Sequence, residues 1–189
     1  MAKIAKAVRV CTVAPILACG MLIWVFCAEP AVFGGTLNFV FSLVFLTALP
    51  LLAYPLQPYI PKFKERGRSG QRELAMIFAV AGYLLGCMVS FIRNAPVSLW
   101  VIYLEYLLSG LCILVFNKVF HLKASGHACG VVGPICLLHY FQLPVLLPGV
   151  LLIAAVCWSS LKMGRHTWTQ LFGGACIPAA VMAVLSFVF

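Results

Sequence analysis

The sequence predicts an all-α protein, a polytopic bundle of six to seven transmembrane helices. Hydrophobic residues make up 64% of the chain and charged residues only 9%, whereas soluble domains contain roughly 25% charged residues. The mean hydropathy is +1.10, so polar side chains are too few to cover a soluble globule. Because a spanning helix takes about 20 residues, six or seven spans would use nearly all 189 residues. We therefore expect one integral membrane domain covering residues 1–189.

The first two apolar runs are predicted to form a helical hairpin. The run at 10–28 follows three cations and is longer than the hydrophobic region of a signal peptide, so we expect a retained first helix. A turn at 29–35, rich in glycine and proline, precedes a second span at 36–56. Pro50 and Pro55 are expected to kink or end this second helix.

The middle of the chain contains the most polar stretch and two further spans. Residues 61–73 are predicted to be a basic loop. Spans at 74–92 and 97–117 follow, joined by a tight turn at 93–96. Glu105 lies in the middle of the second of these spans, where a carboxylate is costly. It either pairs within the bundle or acts near a lipid chain or headgroup.

Two polar segments, at 118–127 and 159–170, separate the last three apolar runs. These runs extend to about residue 141, from 145 to 159, and from 170 to 189. The first of them is short and contains Pro134 and His139, which is why the predicted number of spans is six to seven. His139 is expected to be a packing or interfacial residue, and so is His121.

The cations lie on one side of the predicted bundle. If each apolar run crosses the membrane once, twelve of the thirteen Lys and Arg residues fall on the side of the N-terminus, and only Arg93 falls on the other. The positive-inside rule places the cationic side in the cytoplasm. We therefore expect a multi-pass protein of the cell membrane in which the polar segments 62–73, 123–127 and 159–170 meet at a cytoplasmic face.

The charge balance limits the possible chemistry. The net charge is +9, and the acidic residues are four glutamates with no aspartate. An aspartate-rich magnesium site for a diphosphate therefore cannot be built, and any bound phosphate must be neutralised by cations. Anionic lipid headgroups account for part of the positive charge, and we expect no nucleic-acid partner. We also expect no metal and no cofactor. The nine cysteines form no CxxC pair and lie mostly in apolar runs, where they are expected to pack as small apolar residues.

Two short motifs place a histidine beside cations at the end of an apolar run. They are Lys123-Ala124-Ser125-Gly126-His127 and Lys162-Met163-Gly164-Arg165-His166. Phosphoryl transfer through histidine requires cations and backbone amides for the phosphoryl oxygens, one imidazole as nucleophile, and a second to protonate the leaving oxygen. The alternative is that both are interfacial histidines without a chemical role.

The first motif resembles the second motif of the type 2 phosphatidic acid phosphatase superfamily, which is usually Pro-Ser-Gly-His. Residues 159–170 resemble the third motif, Ser-Arg-x5-His-x3-Asp, with glutamine at the last position. This variant, followed by Gly173-Gly174, is similar to short archaeal and bacterial members. A looser counterpart of the first motif, Lys-x6-Arg-Pro, lies at 62–73. The resemblance implies a bundle with the core of this superfamily.

The resemblance also implies a role for each matched position. His166 would be the nucleophile that forms a phosphohistidine, and His127 the general acid for the leaving alcohol. Gln170 would bind the far nitrogen of His166 and set its tautomer, because a four-residue gap places both on one face of a helix. The matched phosphate-binding positions are Lys123, Ser125, Gly126, Arg72 and Lys64.

Two departures from the motif affect the expected activity. Ser160 stands where the superfamily has an arginine, so a bidentate phosphate contact is lost. Arg165 is the candidate to compensate for it, and Ser160 and Arg165 complete the predicted phosphate site. Neutral Gln170 also stabilises an imidazolium less than an aspartate does.

The expected function is metal-independent hydrolysis of a lipid phosphomonoester or a polyprenyl mono- or diphosphate through a phosphohistidine. The expected partners are this lipid phosphate and the surrounding membrane lipids. Two alternatives are a phosphotransferase of the same fold and a non-catalytic protein that binds or translocates lipids.

Overall fold

Ten α-helices account for most of the chain. The computed structural model describes the backbone of residues 1–189 and the side-chain surroundings of every residue except Ala2. The helices are α1 (Ala2–Cys11), α2 (Ala14–Ala28), α3 (Thr36–Leu43), α4 (Leu49–Leu56), α5 (Pro61–Lys64), α6 (Gly67–Ile92), α7 (Val97–Lys118), α8 (Gly126–Tyr140), α9 (Leu146–Lys162) and α10 (Trp168–Val188). No β-strand occurs among the described residues, and the predicted all-α class is confirmed.

Four helical segments are long and apolar enough to cross a membrane. They are Thr36–Tyr59, Gly67–Ile92, Val97–Lys118 and Trp168–Val188. The bent pair formed by α1 and α2 would make a fifth span, whereas α8 has 15 residues and α9 has 17. These helices agree with a multi-pass membrane protein that has four to five candidate spans. The number of six to seven spans stays a prediction.

The first predicted span differs from the observed one, because the helix breaks between Cys11 and Ala14. The two halves meet at an angle of 52°, and Val13 has an extended backbone. Pro15 explains the break. In a continuous helix its ring would clash with the carbonyl of Cys11, whereas in the first turn of a new helix the missing N–H removes no hydrogen bond.

The segment 61–73 is not the predicted loop. It contains α5 and the first two turns of α6, which starts at Gly67. Gly67 has a φ of +51° and makes the turn between these helices. The ion pair of Arg66 with Glu73 spans this turn. The polar residues thus belong to a helix that extends beyond its apolar part.

The second predicted span adapts to its two prolines by local changes in helix type. A π-helical turn at Val44–Ala48 precedes Pro50, and the α-helix that contains Pro55 ends at Leu56. A π turn changes the hydrogen-bonding pattern of the backbone, so the helical segment continues past Pro50. The expected helix end close after Pro55 is confirmed.

Helix α7 lies at the centre of the bundle. Tyr103 is almost completely buried and its hydroxyl lies 3.0 Å from that of Ser42. Its ring packs on Gly86, where a Cβ atom would overlap it. At the end of the bundle near the 93–96 turn, Nε of Arg93 donates to the side chain of Asn38 at 2.6 Å.

Close backbone contacts bring α8 against α10 at the opposite end. Gly174 lies so near the carbonyl group of Ser125 that a Cβ atom would overlap it. The N–H of Ser125 donates to the carbonyl of Gln170 at 2.9 Å. Gly130 makes a similar close approach to Ala14 of α2. These contacts place the starts of α8 and α10 beside the break between α1 and α2.

Candidate active site

The polar segments around the two histidine motifs meet at one end of the bundle, as the sequence predicts. Nε2 of His127 lies 3.0 Å from the hydroxyl of Thr12. A guanidinium nitrogen of Arg9 donates to the hydroxyl of Ser160 at 3.2 Å. Together with the backbone bond between Ser125 and the start of α10, these contacts join α1, α8, α9 and α10 around one site.

Gln170 fixes the tautomer of His166. Nδ1 of His166 lies 3.1 Å from Oε1 of Gln170, and the N–H of Thr167 donates to the same oxygen at 3.4 Å. Because an amide oxygen only accepts, Nδ1 must carry the proton. Nε2 of His166 is then unprotonated, which is the state that a nucleophilic imidazole needs.

The predicted contact between His166 and Gln170 is confirmed, but its basis is different. His166 lies before the helix and not on it, because α10 starts at Trp168 with Thr167 as its N-cap. The side chain of Gln170 reaches back toward the N-cap in a capping box. It therefore stabilises the start of α10 and orients the imidazole with one oxygen.

Thr12 holds the second histidine. Its hydroxyl donates to the carbonyl of Val8 at 2.8 Å, so it is free to accept a hydrogen bond but not to donate another. Nε2 of His127 must therefore donate to Thr12 when the ring is neutral. This leaves Nδ1 of His127 as the basic nitrogen of the neutral ring.

Ser125 caps the helix that carries His127. Its side chain is fully buried, and its hydroxyl oxygen accepts a hydrogen bond from the N–H of Ala128 at 3.2 Å. The hydroxyl that was predicted to bind phosphate is therefore engaged in capping α8. Gly126 is exposed, and the N–H groups of Gly126 and His127 in the first helical turn have no partner within the helix. An anion beside His127 would be stabilised by these donors.

The electrostatic field of the site disfavours charged imidazoles. Burial, the charge of Arg9 and the neighbouring His166 hold the pKa of His127 at about 4. Burial also lowers the pKa of His166, and the charges of Arg9, Arg72 and Arg165 add to this shift, while the hydrogen bond that His166 donates to Gln170 opposes it. Both imidazoles are therefore neutral at physiological pH.

The predicted cations are distributed unevenly around the histidines. Arg165 and Arg72 lie close enough to affect the pKa of His166, and the N–H of Arg165 donates to the carbonyl of Ser160 at 3.0 Å. Lys123 and Lys64 are exposed, and the structure gives neither of them a hydrogen bond or ion pair among the described residues. Ser160 is fully buried and accepts its hydrogen bond from Arg9.

Sequence reasoning missed two residues of the site, Arg9 and Thr12. Arg9 was assigned to membrane topology, and Thr12 was included in the first apolar run. Pro15 was the available signal, since a proline after Thr12 predicts a helix start there. No pattern in the sequence indicates which distant segment this break contacts.

The arrangement provides the components of nucleophilic phosphoryl transfer. A neutral imidazole with a free Nε2, a second imidazole, the starts of two helices and several unpaired arginines surround one end of the bundle. Within the described part of the chain, no group of three or more His, Cys, Asp or Glu residues has metal-site geometry. Comparison with known protein families, characterised proteins and solved structures finds no match to this chain.

Proposed function

We propose that this protein is a membrane phosphatase that hydrolyses a lipid phosphomonoester or a polyprenyl mono- or diphosphate through a phosphohistidine. One observation carries the proposal. Gln170 holds the proton of His166 on Nδ1 and leaves Nε2 as a nucleophile in a field of uncompensated cations. The resemblance of both histidine motifs to the type 2 phosphatidic acid phosphatase superfamily supports the same chemistry.

The first step forms a bond between Nε2 of His166 and phosphorus while the bond to the leaving oxygen breaks. The arginines Arg72 and Arg165 and the helix start at Gly126 stabilise the phosphoryl oxygens. His127, as imidazolium, gives a proton to the leaving oxygen. A bound dianion favours this protonation because an opposite charge raises the pKa of a neighbouring imidazole.

In the second step a water molecule attacks the phosphohistidine. Neutral His127 takes a proton from this water and becomes an imidazolium again, as it was before the first step. The nitrogen–phosphorus bond breaks, and inorganic phosphate leaves with the electron pair returned to Nε2 of His166. The products are an alcohol, or a lipid monophosphate when the substrate is a diphosphate, and inorganic phosphate.

A groove beside the site supports a lipid as substrate. It has a volume of about 710 Å³ and runs along the outer face of α9, past Val150, Ala154 and Trp158. Its lining is apolar except at Lys162, which lies four residues before His166 in the sequence, and Trp168 of α10 also lines the groove. An apolar chain in this groove would place its phosphate at the cationic end of the bundle.

A second, much smaller cavity adjoins the groove. It shares Ile153 and Cys157 with the groove and extends to Ala128 and Leu171. These two residues follow His127 and Gln170 directly in the sequence. In our proposal the lipid enters sideways from the membrane, and the cationic end faces the cytoplasm. A reporter fused at Arg93 should therefore be found outside the cytoplasm.

The test is phosphate release by the purified protein in detergent with EDTA. The substrate panel contains phosphatidate, phosphatidylglycerol phosphate, and farnesyl and undecaprenyl mono- and diphosphates. His166→Ala and His127→Ala should each abolish release, while His139→Ala, at an exposed histidine, should not. Brief reaction with a ³²P-labelled substrate should label native protein with an acid-labile phosphate that is absent from His166→Ala.

The same experiment separates the rival functions. Release of phosphate only when an acceptor alcohol is absent, with a phosphorylated product when it is present, would identify a phosphotransferase. Lipid binding that survives His166→Ala, with no turnover of any substrate by native protein, would identify a non-catalytic lipid-binding protein and overturn the proposal.

A further inference from the structure

The guanidinium of Arg9 is half-buried without a carboxylate partner. Its one hydrogen bond goes to the neutral hydroxyl of Ser160, 151 positions away in the sequence. The ion pair that the described residues form joins Arg66 to Glu73 and does not involve the site. A guanidinium has five N–H donors in one plane, so most of the donors of Arg9 remain available.

Arg9 acts on both histidines. Its charge lowers the pKa of His127, and of the three arginines around His166 it has the largest effect. The geometry agrees, because the guanidinium contacts Ser160 of α9, and Thr12, three residues after Arg9, contacts His127. The charges of Arg72 and Arg165 lower the pKa of the same histidine, so three positive charges act on His166.

This cation cluster is unfavourable without a ligand, because like charges repel and a partly buried charge loses hydration. Two features nevertheless hold Arg9 in place. Ser160 is fully buried in α9, and its hydroxyl accepts a hydrogen bond from the guanidinium. The break after Cys11 directs the end of α1 toward α8, where Thr12 contacts His127. A site that keeps an unpaired cation ordered in this way is complementary to an anion.

We propose that Arg9 binds the phosphoryl group, so that α1 supplies the guanidinium that α9 lacks at Ser160. The inference rests on the proposed function and adds a phosphate-binding residue to the site. Arg165 was the sequence-based candidate for this role, but Arg165 is exposed and the structure gives its side chain no hydrogen bond to the site. In this arrangement Ser160 is a positioning residue, since it acts on the phosphate through Arg9.

The experiment compares Arg9→Ala, Arg9→Lys and the double variant Arg9→Ala/Ser160→Arg with native protein. Lys6→Ala is the matched control, because Lys6 is an exposed cation one turn earlier on the same helix. The readouts are kcat/KM for the best lipid phosphate, inhibition by vanadate as a phosphate analogue, and thermal stability in detergent. We expect Arg9→Ala to lower kcat/KM about 100-fold and to weaken inhibition by vanadate about tenfold or more, because a charged contact with the phosphate is lost.

Recovery separates a phosphate ligand from a structural residue. Arg9→Lys should keep part of the native activity, because lysine retains the positive charge without the guanidinium. The double variant should have a kcat/KM at least about tenfold above that of Arg9→Ala, because Ser160→Arg supplies a guanidinium from α9. Lys6→Ala should match native protein.

The inference is overturned if Arg9→Ala keeps native kcat/KM. It is also overturned if the folded variant binds vanadate as tightly as native protein, or if neither rescue regains activity. If native protein releases phosphate from no substrate, the proposed function fails. Arg9 is then still tested by the vanadate-induced rise in melting temperature, which Arg9→Ala should remove.

Discussion

Thr12 accepts a hydrogen bond from Nε2 of His127 at 3.0 Å while its own hydroxyl donates to Val8. The two residues are 115 positions apart in the sequence. Thr12 is the first residue after α1, so its position is set by the break that Pro15 imposes. The orientation of an imidazole on α8 thus depends on the local conformation of the first helix pair.

This contact predicts different effects for two substitutions of Thr12. Thr12→Val keeps the shape but removes the acceptor, and a hydrogen bond of this kind contributes about 1 kcal/mol. We expect a drop in kcat of about five- to tenfold, because His127 loses its preferred tautomer. Thr12→Ser keeps the acceptor and should stay close to native activity. Equal rates for both variants, measured as initial phosphate release, would contradict the assigned hydrogen bond.

Gln170 allows a test of the nucleophile. Gln170→Leu removes the acceptor for Nδ1 of His166, and we expect kcat to fall about 100-fold or more, as when a triad histidine is left in the wrong tautomer. Gln170→Glu keeps the acceptor and the capping box but adds a negative charge. That charge should raise the pKa of His166, and since attack needs the neutral ring, the acid limb of the kcat/KM profile should move to higher pH. An unchanged pH profile would argue against His166 as the nucleophile.

The low pKa of His127 predicts that anion binding takes up a proton. This pKa is about 4 because of burial, Arg9 and His166, and a bound dianion raises it by opposing the positive charge nearby. A ligand that raises a pKa binds more tightly as the pH falls toward the pKa of the free protein. Sulfate, which stays dianionic in this range, should therefore bind more tightly at about pH 5 than at about pH 8.

The sulfate experiment needs variants because several groups face the anion. The pKa of His166 is also lowered, and the guanidinium groups of Arg9, Arg72 and Arg165 stay charged throughout. Calorimetry at several pH values should show a smaller pH dependence for His127→Gln and an unchanged one for His139→Gln. A pH dependence that survives both His127→Gln and His166→Gln would have to arise elsewhere in the protein.

The approach of α8 to α10 predicts a contrast between adjacent glycines. A Cβ atom at Gly174 would overlap the carbonyl group of Ser125, whereas a Cβ atom at Gly173 meets no atom within 4 Å. Gly174→Ala should separate the two helices and destabilise the protein by about 1–3 kcal/mol, typical of overpacking. Thermal unfolding in detergent should show a lower midpoint for Gly174→Ala than for Gly173→Ala, together with lost phosphate release. Equal midpoints would show that the helices adjust without cost.

Much of the fold could be predicted because apolar runs and turn residues are local signals. The helix predicted at 97–117 and the end of the helix predicted at 74–92 agree with the observed helices. The polarity of 61–73 predicts a loop, but polar residues can also form a helix. A change from apolar to polar residues marks the edge of the membrane-facing part of a helix. The backbone hydrogen bonding can continue past this edge, which is why α6 starts before its apolar part.

The part of the site that lies within the two histidine motifs could be predicted from the sequence. The spacing of His166 and Gln170 indicated their contact, although the helical basis was wrong because His166 precedes the N-cap of α10. The role of Ser125 as a cap of α8 depends on the same kind of local geometry. The contacts of Arg9 with Ser160 and of Thr12 with His127 depend on tertiary packing, and no periodicity within a single sequence encodes such pairs.

The contact of Arg9 with Ser160 has a consequence for biogenesis. Residues of the first helix can meet their partners only after α9 has left the ribosome and been inserted beside them. Until then the site of the emerging chain is incomplete, and the proposed hydrolysis of lipid phosphates cannot take place. Activity should therefore begin late and abruptly during synthesis, once α9 and α10 are in place.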